Sequence, residues 1–108
     1  MLHHQNMIAQ HEQFIGAIHS KNRVKIKFRS KEDGATVERV CAPMDYGAGK
    51  KIENKSPRYW VWDFTSDKGP HTLGLRDSQI VALEVLSDTF NPGEFVNWTP
   101  AWTVPRNW

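Results

Sequence analysis

One cysteine stands in 108 residues, so Cys41 can close no internal disulfide and build no multi-cysteine zinc site. In a strand it is expected to be a small buried apolar residue. No apolar run approaches the roughly 20 residues that span a bilayer. The opening Met1-Leu-His-His-Gln-Asn has no basic stretch leading into an apolar one, so no signal peptide is expected and the chain is placed in the cytoplasm. Charge of one sign is also scarce: the net charge is +2, too small to argue for nucleic acid by itself. Internal repeats and low-complexity runs are absent, as are the G-x-x-x-x-G-K and G-x-S-x-G patterns. His4 and His11 lie two helical turns apart, about 10.5 Å, too far to share one ion. No metal and no cofactor is implied. Catalysis is not expected, because no nucleophilic side chain has an activating partner at motif spacing.

What is present is enough for one domain with one core, at 39% hydrophobic and 24% charged residues. Its densest stretch is Arg58-Tyr59-Trp60-Val61-Trp62-Asp63-Phe64, which must be a strand buried on at least one face. Period two sets Trp60, Trp62 and Phe64 on one side and Tyr59, Val61 and Asp63 on the other. Each ring removes roughly 150 to 250 Å² from water, so three on one face are a large share of a small core.

Taken in order, Met7, Ile8, Phe14, Ile15 and Ile18 recur at helical spacing and predict an amphipathic helix from Gln5 to Ser20, ending near Asn22. Lys21, Arg23, Lys25, Lys27, Arg29 and Lys31 then occupy every second position. Only a strand puts them on one face, with Val24, Ile26 and Phe28 toward the core. Lys31-Glu-Asp-Gly34 turns the chain into a second strand, Ala35 to Cys41. A basic loop with Gly47, Gly49, Lys50, Lys51 and Lys55 is expected from Asp45 to Pro57. After the aromatic strand come a turn at Ser66 to Pro70, a strand His71 to Leu75, a tight connection, and a strand Ile80 to Leu86. Five short strands and one helix predict a small, mostly β fold of the α+β class, an antiparallel barrel capped by the helix. This unit covers 1–90. In 91–108, Pro92, Pro100 and Pro105 forbid a helix, while Trp98, Trp102 and Trp108 are too apolar for a disordered tail. The tail is expected to dock extended on the barrel or on a partner, with Trp98 and Trp102 largely buried.

The order of helix, Val24-Lys-Ile-Lys-Phe28, Gly34, Arg39, Pro43, aromatic strand and Leu73 to Val85 resembles the WYL domain, an Sm-like or Src-homology-3-like barrel. The resemblance runs from about Phe14 to Phe90. Ala17-Ile18 looks like the family's helix end, Val24 to Arg29 like its basic first strand, and Arg39 to Pro43 like its Arg-x-x-x-Pro step. The motif tyrosine is matched by either Tyr59 or Trp60, and a slip of one residue exchanges the faces. Gln79 stands where the family has a basic residue, a charge that Arg76 is placed to supply. The resemblance implies a ligand-sensing module of the kind found in transcription regulators and CRISPR-associated proteins, here with one helix and so without a helix-turn-helix reader.

Two functions remain open. In the first, Lys25, Lys27, Arg29, Arg39, Arg58 and Arg76 form the cationic wall of a groove for single-stranded RNA or DNA or an oligonucleotide, with Tyr59 or Trp60 stacking on a base. Its bland counterpart is a solvated basic face offset by Glu32, Asp33 and Glu38. In the second, the chain is a protein-interaction or homo-oligomerisation module acting through the Trp-rich tail and the barrel edge. No membrane is implied as a partner.

Overall fold

Alternation of β-branched and aromatic residues with charges along much of this chain favours strands, and five form. The computed structural model describes residues 7–31, 34–48, 56–66 and 69–108. Its elements are α1 (His11–Ser20), β1 (Asn22–Ser30), β2 (Ala35–Gly47), β3 (Arg58–Asp63), β4 (His71–Leu75) and β5 (Ile80–Thr89). The strands make one antiparallel sheet in the order β4-β3-β2-β1-β5. A mostly β, small α+β fold with one helix results. β4 and β5 are the edges, and among the described residues no ladder joins them to complete a barrel.

α1 is shorter than the periodicity predicts. It begins at His11 with no side-chain cap at Gln10, and ahead of it the Ile8 N–H donates to the Tyr59 hydroxyl at 3.0 Å. Its C-terminus closes at Lys21, which takes the left-handed conformation (φ 60°) and donates its N–H to the Ala17 carbonyl. The expected position of His4 lies outside the described residues. So do Glu32 and Asp33 of the first hairpin and Gly49, Lys50, Lys51 and Lys55 of the basic loop. The hairpin returns at Gly34, whose φ of +64° suits glycine, and its N–H reaches the Ser30 carbonyl at 2.9 Å.

β2 corrects another boundary. The strand expected to end at Cys41 continues through Pro43 to Gly47, so Asp45 lies in the sheet rather than in a loop. Proline is tolerated there because the ladder to β3 shifts register between Pro43 and Asp45, and a bulge frees the proline from donating. β5 likewise runs beyond Leu86 to Thr89.

One sheet face carries the main core. Phe14, Ala17 and Ile18 of α1 pack on Val24, Ile26, Phe28, Cys41, Tyr59, Val61, Leu75 and Leu83, all buried. Full burial of each large apolar side chain stabilises by about 1.5–3 kcal/mol. Cys41 is fully buried, and its thiol is pushed far above its ordinary range, chiefly by burial and then by the Asp63 charge. The opposite face is covered too. Ala42, Met44, Phe90 and Phe95 form a second cluster with Trp60, Trp62, Phe64, Val96, Trp102 and Trp108 around it. Trp62 stacks on Phe95 at 5.3 Å and 10°. β3 is therefore covered on both faces, with Tyr59, Val61 and Asp63 wholly buried and Trp60, Trp62 and Phe64 half-buried beneath the tail.

Residues 91–108 lie along that second face. Trp108 Nε1 donates to the Ile18 carbonyl at 2.8 Å, taking one of the carbonyls that a helix end leaves unpaired. The expectation of burial fails for Trp98, which is 42% exposed. It meets Trp102 by an edge contact at 6.3 Å.

Candidate ligand-binding site

The alternating cations of β1 do face away from the core, but they do not share one environment. Lys25 Nζ lies 3.6 Å from Glu84 on β5, both partly exposed; such a pair contributes about 0–1 kcal/mol and is screened by salt. Lys27 stands opposite Glu38 in the β1–β2 register. Arg29, opposite Thr36, has no acidic neighbour across the strand. Arg23, at the other end, lies over the Phe64 ring at 4.2 Å and donates from Nε to the Thr89 carbonyl. Arg39 is turned to the core face, where its Nε approaches the buried Asp63 carboxylate at 3.5 Å. It is thus an internal partner rather than part of an outward wall.

Tyr59 and Trp60 are separated just as sharply. Tyr59 is fully buried, ringed by His11, Phe14 and Tyr46. Its hydroxyl accepts from Ile8 N and lies 2.8 Å from His11 Nδ1. Burial, aided by the nearby Tyr46 and Asp77, pushes its pKa up to about 12, against a smaller opposing effect of the Ile8 N–H. A ring so enclosed has no free face for a base. Trp60 is half-buried, donates from Nε1 to the Gly47 carbonyl at 2.9 Å, and lies directly over Gly74 of β4, where a Cβ would come within 2.5 Å of its ring. Seven positions of β2 separate Asp45, the partner of Trp60, from Glu38, the partner of Lys27. The middle of the β1 row and the open ring therefore do not form one groove.

A different cationic group forms where the C-terminal end of β1 approaches β4. A pocket of about 170 Å³ is lined by Phe28, Ser30, Lys31, Arg58, Leu73, Gly74, Leu75 and Gln79. Gln79 ties the far side to β1: its Nε2 donates to the Arg29 carbonyl at 3.1 Å, and its Oε1 accepts from Arg76 N at 3.0 Å. The β3–β4 ladder ends at Tyr59↔Leu75. Arg58 and Arg76 are the residues next beyond that pair on the two strands, and Arg76 keeps an extended backbone. Like charges on neighbouring strands repel unless something lies between them. Among the described residues, both guanidinium Nε atoms are buried without an acceptor and no carboxylate lines the pocket. Periodicity alone could not find this pair, since it is the register of two strands that brings both to one ladder end.

The residues that sequence reasoning missed are Asp45 and Arg106. The Asp45 carboxylate accepts from Thr103 N and Val104 N, both at 2.9 Å, from Tyr46 N at 3.0 Å, and from Arg106 Nη2 at 3.2 Å. Arg106 also donates to the Met44 and Val104 carbonyls and lies between the Trp102 and Trp108 rings at 4.1 and 4.7 Å. Burial lowers its pKa, while Asp45 opposes that fall. Among the described residues, no group of three or more His, Cys, Asp or Glu could hold a metal ion, and no helix is long and apolar enough to cross a membrane.

An open five-stranded antiparallel sheet with one helix on its core face and an extended tail on the other defines the class of protein. Its fold is similar to that of proteasome accessory factor B/C (PafBC) of Arthrobacter aurescens, with a TM-score of 0.60 and 13% sequence identity. The match covers 86% of this chain but only 14% of that one, and at this identity it shows the fold alone. No family model and no curated protein matches the sequence.

Proposed function

We propose that the chain is a non-catalytic, regulatory ligand-binding module of the WYL type, taking the phosphates of a single-stranded nucleic acid or oligonucleotide at the cationic end of the sheet. The observation that carries this reading is that Arg58 and Arg76, next beyond the last β3–β4 pair, each keep a buried guanidinium nitrogen with no acceptor among the described residues. A buried charged donor left unpaired costs about 1–3 kcal/mol or more, and an anion between the two would relieve both that cost and their repulsion. Arg58 and Lys31 line the pocket, with Arg76 following its lining residue Leu75, and Arg29 extends the row along β1. The pocket's size suits a phosphate group rather than a whole nucleotide. Lys25 and Lys27, each beside a carboxylate, contribute less, and Trp60, two residues from Arg58 on the same side of β3, is the ring within reach of a base.

The test is a panel of short RNA and DNA strands titrated at two salt concentrations, with the double substitution Arg58→Gln and Arg76→Gln. Removing two orphaned cations should leave the fold at least as stable, yet weaken binding tenfold or more. Losing two phosphate contacts should flatten the salt slope by about 1.4, at roughly 0.7 per contact on a single strand. If the unaltered chain binds no strand at low salt, or the double variant keeps both affinity and slope, the proposal fails.

The second reading, an interaction module, draws on Val81 and Val85, exposed by 52% and 38% on the edge strand β5, and on exposed Trp98. Concentration-dependent sedimentation that disappears on Val81→Lys would support it.

A further inference from the structure

A second cavity lies where the tail crosses the sheet, and shares no lining residue with the cationic pocket. This cleft, about 440 Å³, lies between the sheet and the tail and is lined chiefly by Met44, Trp60, Thr72, Trp98, Ala101 and Trp102. Its volume falls in the range of roughly 300–1,000 Å³ of small-molecule sites. We infer that it binds a planar, uncharged heteroaromatic ring, of the size of a nucleobase or nucleoside, stacked against Trp60 and Trp98 and accepting a hydrogen bond from Trp102 Nε1.

Three observations converge on that chemistry. Trp60 is held flat, with one side against Gly74 and its Nε1 tied to the Gly47 carbonyl, so its ring is oriented before any ligand arrives. Trp98 is exposed at the tail side of the cleft with its ring at 68° to Trp102, and a stacked partner would cover surface that the chain itself leaves wet. Trp102 lines the cleft, and among the described residues its Nε1 is buried without an acceptor, an orphaned donor that a ring nitrogen or carbonyl would satisfy once a small shift of the indole brings it to the cleft.

Charge decides against the alternative occupant, a quaternary ammonium held by aromatic faces. The guanidinium of Arg106 already lies over Trp102. Among the described residues the one carboxylate of the lining, Asp45, is spent on Arg106 and three backbone N–H groups. A second cation would meet a like charge and find no counter-ion. The inference shares Trp60 with the proposed function but not its phosphate contacts, so the two stand or fall separately.

The experiment titrates the full chain with adenosine and uridine, and with choline and cyclohexanol as controls, following tryptophan fluorescence and ligand-observed NMR at low and high salt. The expected result is submillimolar nucleoside binding that does not depend on salt, with no binding of choline or cyclohexanol. Trp98→Ala, at a half-exposed position, should weaken it tenfold or more, and Ala101→Trp, which fills the cleft from an exposed position, should abolish it. Arg58→Gln with Arg76→Gln should leave it unchanged. The inference is overturned if neither nucleoside binds at millimolar concentration, if choline binds as tightly, if both cleft variants bind as the original does, or if the arginine variant loses the nucleoside. Oligonucleotide binding lost in that arginine variant with nucleoside binding intact upholds both sites. Nucleoside binding in a chain that takes no oligonucleotide leaves the cleft and removes only the cationic groove.

Discussion

Replacing Asp45 by alanine removes the acceptor at the centre of the tail's attachment. In the native chain that carboxylate serves three backbone N–H groups at 2.9–3.0 Å and the Arg106 guanidinium at 3.2 Å, with the side chains of Arg106 and Asp45 only 1% and 11% exposed. Breaking a buried ion pair from one side costs about 3–5 kcal/mol, because the remaining charge stays desolvated. Here the tail has an escape, since it can lift off and rehydrate Arg106, Thr103 and Val104. The loss therefore cannot exceed what docking the tail contributes, and we expect about 3 kcal/mol, the lower end of that range. Arg106→Met should cost less, about 1–2 kcal/mol, because a long apolar chain keeps contact with the Trp102 and Trp108 rings and Asp45 retains its backbone donors. The double variant then closes a cycle whose coupling energy should be about 1–3 kcal/mol, as for residues in one network. Urea unfolding followed by tryptophan emission measures all four chains, and acrylamide quenching reports whether Trp102 and Trp108 have become accessible. If Asp45→Ala falls within about 0.5 kcal/mol of the original, the ordinary effect of a surface substitution, and quenching is unchanged, the carboxylate is not what holds the tail.

Three other outcomes follow from the packing. Tyr59 is neutral when folded and titrates near 12, above the usual tyrosine value of about 10. Its contribution to stability is thus complete below pH 10 and is lost as pH rises through 12; the urea midpoint of Tyr59→Phe should fall less steeply over that window than that of the original, and parallel curves would contradict the assignment. Gly74→Ala puts a methyl into the Trp60 ring and should cost about 1–3 kcal/mol by overpacking while shifting tryptophan emission; an unchanged spectrum and midpoint would show that the ring moves freely. Cys41, buried with its thiol pushed upward by burial, should resist thiol reagents at pH 8 until the chain is unfolded, and rapid labelling of the folded protein would refute that burial.

How much was legible in the chain follows from what is local. Alternation from Lys21 to Lys31 sufficed for β1, because a pleated backbone sends successive side chains to opposite faces whatever lies around it. Lys31-Glu-Asp-Gly34 marked the hairpin by its turn residues, and the tight spacing of Tyr59 to Phe64 marked a strand with much to bury. The same alternation could not say which face of β3 meets the helix. Period two yields two sets of residues, and only the layers above and below decide that Tyr59 is sealed under α1 while Trp60 lies against the tail. Nor could it reveal Asp45 paired with Arg106, 61 positions away, or Arg58 and Arg76 brought to one end of the β3–β4 ladder. Local sequence determines the elements because hydrogen-bonding geometry and side-chain direction repeat over a few residues. Which charges become neighbours depends on how distant segments are brought together, and that is decided only when the sheet closes its ladders and the tail comes down on them.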